Sequence, residues 1–140
     1  MNERKVTDFL YEQESYQIRK ALFKIWKSFG GAFKEKVIDR ALSIELEKQG
    51  LTVEDQKQIS IFYEGQKIGI YIPDKIINSK IILELKTKPR LTLGDQKQFW
   101  HYLKGSDYKL GFLVNFGAEE LEIKRRVYDK ARIKNQRQSA

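Results

Sequence analysis

The stretch Pro73-Asp74-Lys75-Ile76-Ile77-Asn78-Ser79-Lys80-Ile81-Ile82-Leu83-Glu84-Leu85-Lys86 decides the fold. Two β-rich runs, Ile68 to Ile77 and Lys80 to Lys86, flank an Asn-Ser pair, a pattern that predicts a hairpin. Side chains alternate across a strand, so Glu84 and Lys86 share one face while Ile81, Leu83 and Leu85 take the other. This hydrophobic hairpin thus carries two carboxylates, Asp74 and Glu84, and a lysine. Converging carboxylates suit Mg²⁺, which prefers hard oxygen ligands and keeps several waters. A lysine beside them can orient a water or neutralise charge on a phosphate.

Convergence depends on register. With a two-residue turn, Ile77 pairs with Lys80 and Asp74 with Leu83, and Asp74 then faces away from Glu84. A three-residue loop pairs Asp74 with Glu84, and a bulge near Pro73 also brings them to one side. Proline cannot donate to a ladder and favours edges and bulges, so an irregular register at Pro73 is expected.

Outward from the hairpin, the chain of 140 residues is long enough for one domain with a real core. Its hydrophobic and charged fractions, 41% and 33%, are those of a well-charged globular protein. No apolar run approaches the ~20 residues that span a bilayer, and the start lacks the apolar core of a signal peptide. The absence of cysteine excludes disulfide, zinc-thiolate and iron–sulfur sites. The expected compartment is the cytoplasm, with no membrane partner. The net charge of +8 is uneven, with a balance of +1 over residues 1–70 and +7 over residues 71–140. A basic half points to a polyanionic partner, nucleic acid first, against the alternative of solubility alone.

Apolar positions Ile18, Leu22, Ile25, Trp26 and Phe29 predict a helix from Ser15, stopped by Gly30-Gly31. Residues before it read as loosely ordered, with Thr7 or Asp8 as a cap for a short helix. A second helix over Phe33 to Gln49 places Phe33, Val37, Ala41 and Ile44 on one stripe, widened by Ile38, Leu42 and Leu46. Strands follow over Gln58 to Tyr63 and Lys67 to Ile72, joined at Glu64-Gly65. Beyond Pro89, Thr92 or Asp95 starts a helix through Lys104, and Lys109 to Asn115 reads as a buried strand. Leu121 to Val127 stays open between edge strand and helix, and the tail from about residue 128 is basic and frayed. The expected order is ααβββαβ with an open C-terminal element: an α/β (α+β) fold with a mixed sheet flanked by helices.

Other residues bear on chemistry. Glu35 lies in the first turn of the second helix, where an acid also simply favours the dipole. Gln98 and Tyr102, four apart, share one helix face. Leu110-Gly111-Phe112-Leu113-Val114-Asn115-Phe116-Gly117 is the strand after that helix. A helix Glu, a strand Pro-Asp, a strand Glu-x-Lys and a helix Gln-x-x-x-Tyr, in that order, resemble the PD-(D/E)XK nuclease superfamily in its RecB-like pattern. More narrowly, the chain resembles the GxxExxY family of small bacterial and archaeal proteins, from about Tyr16 to Val127. Gly30 to Glu35, Ala41 to Leu46, Ile82 to Lys86, Gln98 to Lys104 and Gly111 to Gly117 carry the match. Ala32 stands where that family has its namesake glycine and Ile38 where it has its tyrosine. Asp95 falls where a histidine is common.

The resemblance implies a restriction-endonuclease-like fold and phosphodiester hydrolysis in DNA with Mg²⁺ or Mn²⁺. Asp74 and Glu84 would bind the metal with the Leu85 carbonyl, and Glu35 would stand in the first or second shell. Lys86 would hold the attacking water or phosphate oxygens, and Gln98 would position Lys86 or the phosphate. Tyr102 would stack on base or sugar, or pack beneath the site. Lys88 and the run Lys124-Arg125-Arg126 would meet the nucleic-acid backbone. His101, one step off the Gln98 face, is expected to serve structure or meet solvent. The rivals to a nuclease are a binding module that lost turnover and a dimer-forming accessory protein using Phe99-Trp100 as its homodimer interface.

Overall fold

The structure is a computed structural model that describes residues 10–128. Helices α1 (Glu12–Phe29) and α2 (Glu35–Lys48) precede strands β1 (Val53–Asp55), β2 (Ile59–Tyr63), β3 (Gln66–Tyr71), β4 (Lys75–Ile77) and β5 (Ile81–Lys86). Helix α3 (Leu93–Gly105) and strands β6 (Leu110–Phe116) and β7 (Leu121–Val127) complete the order. Five strands form a mixed sheet in the order β1-β4-β5-β6-β7, while β2 and β3 make a separate two-stranded ribbon. Only β5 and β6 run parallel, and α3 is the crossover that a parallel pair requires. Among the described residues, no helix is long and apolar enough to cross a membrane.

This is the helix-flanked mixed sheet the sequence predicts, with two differences and the open C-terminal element resolved. Val53–Asp55 is a further strand, pairing with β4 as Val53↔Ile77 to Asp55↔Lys75, and is too short to show a period of two. The run Ile68 to Ile77 divides into β3 and β4, because Pro73 has no N–H to donate and the Asp74 N–H goes to the Glu84 side chain. Leu121–Val127 is an edge strand, antiparallel to β6. The expected cap at Thr7 or Asp8 and the basic tail from Asp129 onward lie outside the described residues.

One sheet face is covered by α1 and α2. Ile18, Leu22 and Ile25 of α1 and Ile38, Leu42 and Leu46 of α2 pack on Ile81, Leu83, Leu85, Phe112 and Val114. The buried stripe of α2 is therefore the 38/42/46 set. Phe33, Val37 and Ile44 are exposed at 45%, 43% and 55%, correcting the stripe expected through them. The sequence offers two overlapping apolar stripes, and contact with α1 selects one: buried Glu45 accepts Lys24 of α1 at 3.2 Å, turning the neighbouring Leu46 inward. The other sheet face is covered by α3 and the ribbon, through Phe99, Leu103, Ile59 and Tyr71 on Ile76, Ile82 and Leu113.

Two glycines are required by close approach. Gly31 lies against the Gly117 carbonyl with no room for a Cβ, so the turn after α1 docks on the end of β6 as well as stopping the helix. A Cβ at Gly111 would fall 2.7 Å from Phe99 Cζ, so this glycine lets α3 sit close on β6. The exposed Phe99-Trp100 pair expected as a homodimer interface is absent: Phe99 is buried, and Trp100 packs edge-on against Tyr128 at 5.7 Å.

Candidate active site

The hairpin register places the acids. Strands β4 and β5 pair as Lys75↔Leu83, Ile76↔Ile82 and Ile77↔Ile81, leaving Asn78-Ser79-Lys80 as a three-residue loop. Asn78 and Ser79 take φ of 52° and 58°, a left-handed conformation that Asn tolerates well, and Lys80 N–H donates to Ile77 O at 3.1 Å. Asn78 Oδ1 also accepts Thr52 N–H at 2.8 Å, pinning the loop to the start of the sheet. Continued by one residue, this register sets Asp74 opposite Glu84. The ladder is regular, and the irregular register expected at Pro73 is corrected: loop length supplies the phase.

Ile76 and Ile82 face α3, so Asp74, Glu84 and Lys86 share that face by alternation. Each carboxylate closes a backbone gap beside the other. Asp74 N–H donates to Glu84 Oε1 at 3.1 Å, and Leu85 N–H donates to Asp74 Oδ2 at 2.6 Å. Among the described residues, Asp74 Oδ1 and Glu84 Oε2 accept no hydrogen bond.

The two acids destabilise one another's charged forms. Burial, then the Asp74 charge, pushes the Glu84 carboxyl up from the ordinary 4.5 to about 7. Burial also raises Asp74, opposed by the Leu85 N–H. Glu35 stands at the rim of the opposite helix layer, its carboxyl raised by partial burial and then by Asp74. Lys86 makes no salt bridge among the described residues, but its charge lowers all three carboxyls. No three histidine, aspartate or glutamate side chains gather around one point among the described residues, so Glu35 is coupled to the pair by charge without joining it. The pair fits a cation that takes few protein ligands: two desolvated, mutually repelling carboxylates each keep a free oxygen.

A cleft of about 210 Å³ opens beside Glu84, lined by Tyr71, Glu84, Lys86, Asp95, Gln98 and Tyr102 among others, with Asp74 outside its lining. That is below the roughly 300–1,000 Å³ of a pocket for a whole drug-sized ligand, and suits one group of a larger substrate. Gln98 and Tyr102 thus reach the site as the helix spacing predicts. Tyr102 stacks on Tyr71, with ring centroids 4.2 Å apart and planes at 8°. One face of Tyr102 is consequently covered, which favours packing beneath the site over base stacking. His101 is exposed and outside the cleft lining.

The loop after Lys86 is held by Asn115 and Glu122. Buried Asn115 accepts Lys88 N–H at 3.0 Å and donates to Lys88 O at 2.9 Å and Glu122 Oε2 at 2.7 Å. Glu122 Oε2 also accepts Leu91 N–H at 3.0 Å. The only signal was an amide inside an otherwise apolar strand. Lys88, expected to meet nucleic acid, forms an ion pair with Asp95 at 2.8 Å. Asp95 also forms a capping box with Thr92 at the start of α3, and Lys88, then the Thr92 N–H, holds its carboxyl down at about 2. Ile38, in place of the tyrosine, is a fully buried core residue.

Strand alternation splits the basic run. Lys124 pairs with Leu113 and Arg126 with Gly111, which puts both on the α3 face, and Arg126 donates to Gln96 Oε1 at 3.2 Å. Arg125 lies on the other face, donating to Leu10 O at 2.6 Å and Ser15 Oγ at 3.4 Å, so it ties down α1 rather than extending a single patch.

A family model described as the PD-(D/E)XK nuclease superfamily matches residues 12–126. No curated protein and no solved structure matches the chain.

Proposed function

This chain belongs to the PD-(D/E)XK nuclease superfamily, and on that premise we propose that it is a divalent-metal-dependent deoxyribonuclease, within the GxxExxY family. The observation that carries this is the Asn78–Lys80 loop register, which sets Asp74 and Glu84 on one face, beside Lys86 and a cleft lined by Gln98.

Asp74 and Glu84 would hold Mg²⁺ or Mn²⁺, with the Leu85 carbonyl as a further ligand and Glu35 adding negative potential from the rim. When bound, the ion supplies positive charge that offsets the developing negative charge of the phosphodiester. Among the described residues Lys86 makes no salt bridge, and it can hold an attacking water or a non-bridging oxygen. Gln98 would orient the phosphate from the facing helix, and Tyr102 would support the cleft wall through Tyr71. Lys124 and Arg126, on the same sheet face, would follow the DNA backbone.

Single-stranded and duplex DNA incubated with Mg²⁺ or Mn²⁺, beside Glu84→Ala and Lys86→Ala, tests this. Cleavage by the wild type and loss of it in both variants supports the reading. Cleavage unchanged in both variants ends it.

A further inference from the structure

Tyr71 closes β3, and its ring is fixed on one side by Tyr102 and on others by the core beneath α3. The residue is 6% exposed, and its hydroxyl is the buried side-chain atom without a hydrogen-bond partner among the described residues. Leaving a buried hydroxyl unpaired is costly, and a phenylalanine would pack the same ring without that cost. The hydroxyl itself is buried, while Tyr71 lines the cleft beside Glu84, so a group of that cleft is the acceptor to look for. Burial first, and then the charges of Glu84 and Asp74, push the phenol's pKa up. Among the described residues Glu84 Oε2 accepts no hydrogen bond, while Oε1 is held by the Asp74 N–H. The buried, unpaired hydroxyl and the free carboxylate oxygen thus belong to two residues that line the same cleft.

We propose that Tyr71 is a positioning residue for Glu84, its phenolic O–H donating to one lone pair of the free Glu84 oxygen and leaving the other for a divalent cation that Asp74 and Glu84 would share. A carboxylate that ligates an ion is normally oriented by a hydrogen bond from outside the ligand set, and removing such a partner typically weakens ion binding about 10- to 100-fold. Tyr71 suits this role because stacking on Tyr102 holds the phenol in place before the ion arrives, with little left to order on binding. The assignment rests on the reading of Asp74 and Glu84 as a cation pair.

The test is Tyr71→Phe in the full chain, with Mn²⁺ affinity measured by calorimetry at pH 8 and melting measured in EDTA. The expected result is Mn²⁺ binding weakened about 10-fold or more, with the metal-free melting temperature unchanged or raised. Wild-type Mn²⁺ binding with Tyr71→Phe inside twofold of it overturns the Tyr71 assignment alone. A metal-free variant that melts several degrees lower also overturns it, because the hydroxyl then already has a partner in the empty fold. A wild type that binds no Mn²⁺ overturns the assignment together with the cation reading beneath it.

Discussion

Replacing Glu84 with glutamine should stabilise the metal-free protein at pH 8. Glutamine keeps the shape and can still accept the Asp74 N–H, but it removes a charge that burial and Asp74 both oppose. The Glu84 carboxyl is raised from 4.5 to about 7. Between those values the folded state keeps a proton that the unfolded chain has released. This group's contribution is thus fully present below about pH 4.5 and lost as pH rises through about 7. At roughly 1.4 kcal/mol per pH unit the shift corresponds to about 3 kcal/mol, and partial exposure and sharing with Asp74 bring it to roughly 1.5–2 kcal/mol. For a domain of this size, that is a rise in melting temperature of roughly 5–8 °C. Thermal melts of wild type and Glu84→Gln in EDTA at pH 8 and pH 5 give the answer. At pH 5 wild-type Glu84 is itself protonated, so the difference should shrink to about 1–2 °C. A variant that melts no higher than wild type at pH 8 refutes the electrostatic account. Equal stabilisation at both pH values refutes it as well, since a charge effect must follow the titration.

The same sign governs ion binding. Mg²⁺ at about 100 times its dissociation constant should raise wild-type stability at pH 8 by about 2.7 kcal/mol, and this gain should fall away at pH 5 and be lost in Glu84→Gln, as followed by melting temperature. Gly111→Ala should cost about 1–3 kcal/mol in denaturant unfolding, because the added methyl meets the Phe99 ring and α3 must move off β6. A stability unchanged within error would show that Phe99 can give way. Lys124→Ala and Arg126→Ala should each reduce the salt dependence of DNA binding by about one unit of slope, whereas Arg125→Ala should lower the melting temperature and leave that slope alone. Equal salt effects at all three positions would contradict the split across the sheet.

The legible part of the fold was what local pattern controls. The helix stop at Gly30, the capping Thr92, and the apolar runs of β5 and β6 are each set by neighbours in sequence. The hairpin acids and the Gln98/Tyr102 face followed from fixed periods of two and near four. Tertiary choices were not legible. Phe33, Val37 and Ile44 make as good a stripe as Ile38, Leu42 and Leu46 until α1 is placed. Lys124, Arg125 and Arg126 read as one patch until β7 is known to be a strand. Tyr71 carries no local signature and Asn115 only that of an amide in an apolar strand, because their importance lies in what they meet across the sheet. The proline at 73 pointed to a bulge because its missing N–H is local, while the loop that sets the phase is pinned by Thr52, remote in sequence.

That loop has a consequence for what changes the chain tolerates. A strand has two sides, so the residue count of Asn78–Lys80 acts as a parity setting for everything in β4. Lys75, next to Asp74 and on the opposite side, is fully buried, with Nζ bound to Asp39 at 2.7 Å, Ser43 Oγ at 2.6 Å and Asp55 at 3.0 Å. Gaining or losing one residue in the loop would exchange the two positions. A carboxylate would enter a socket built from two other carboxylates, and an ammonium would leave it for Glu84. The wrong parity is therefore penalised on both sides of the sheet at once. Surface loops commonly accept length variation, but this one should not, and Lys75 acts as a lock on the register from the side of the sheet that faces away from the chemistry.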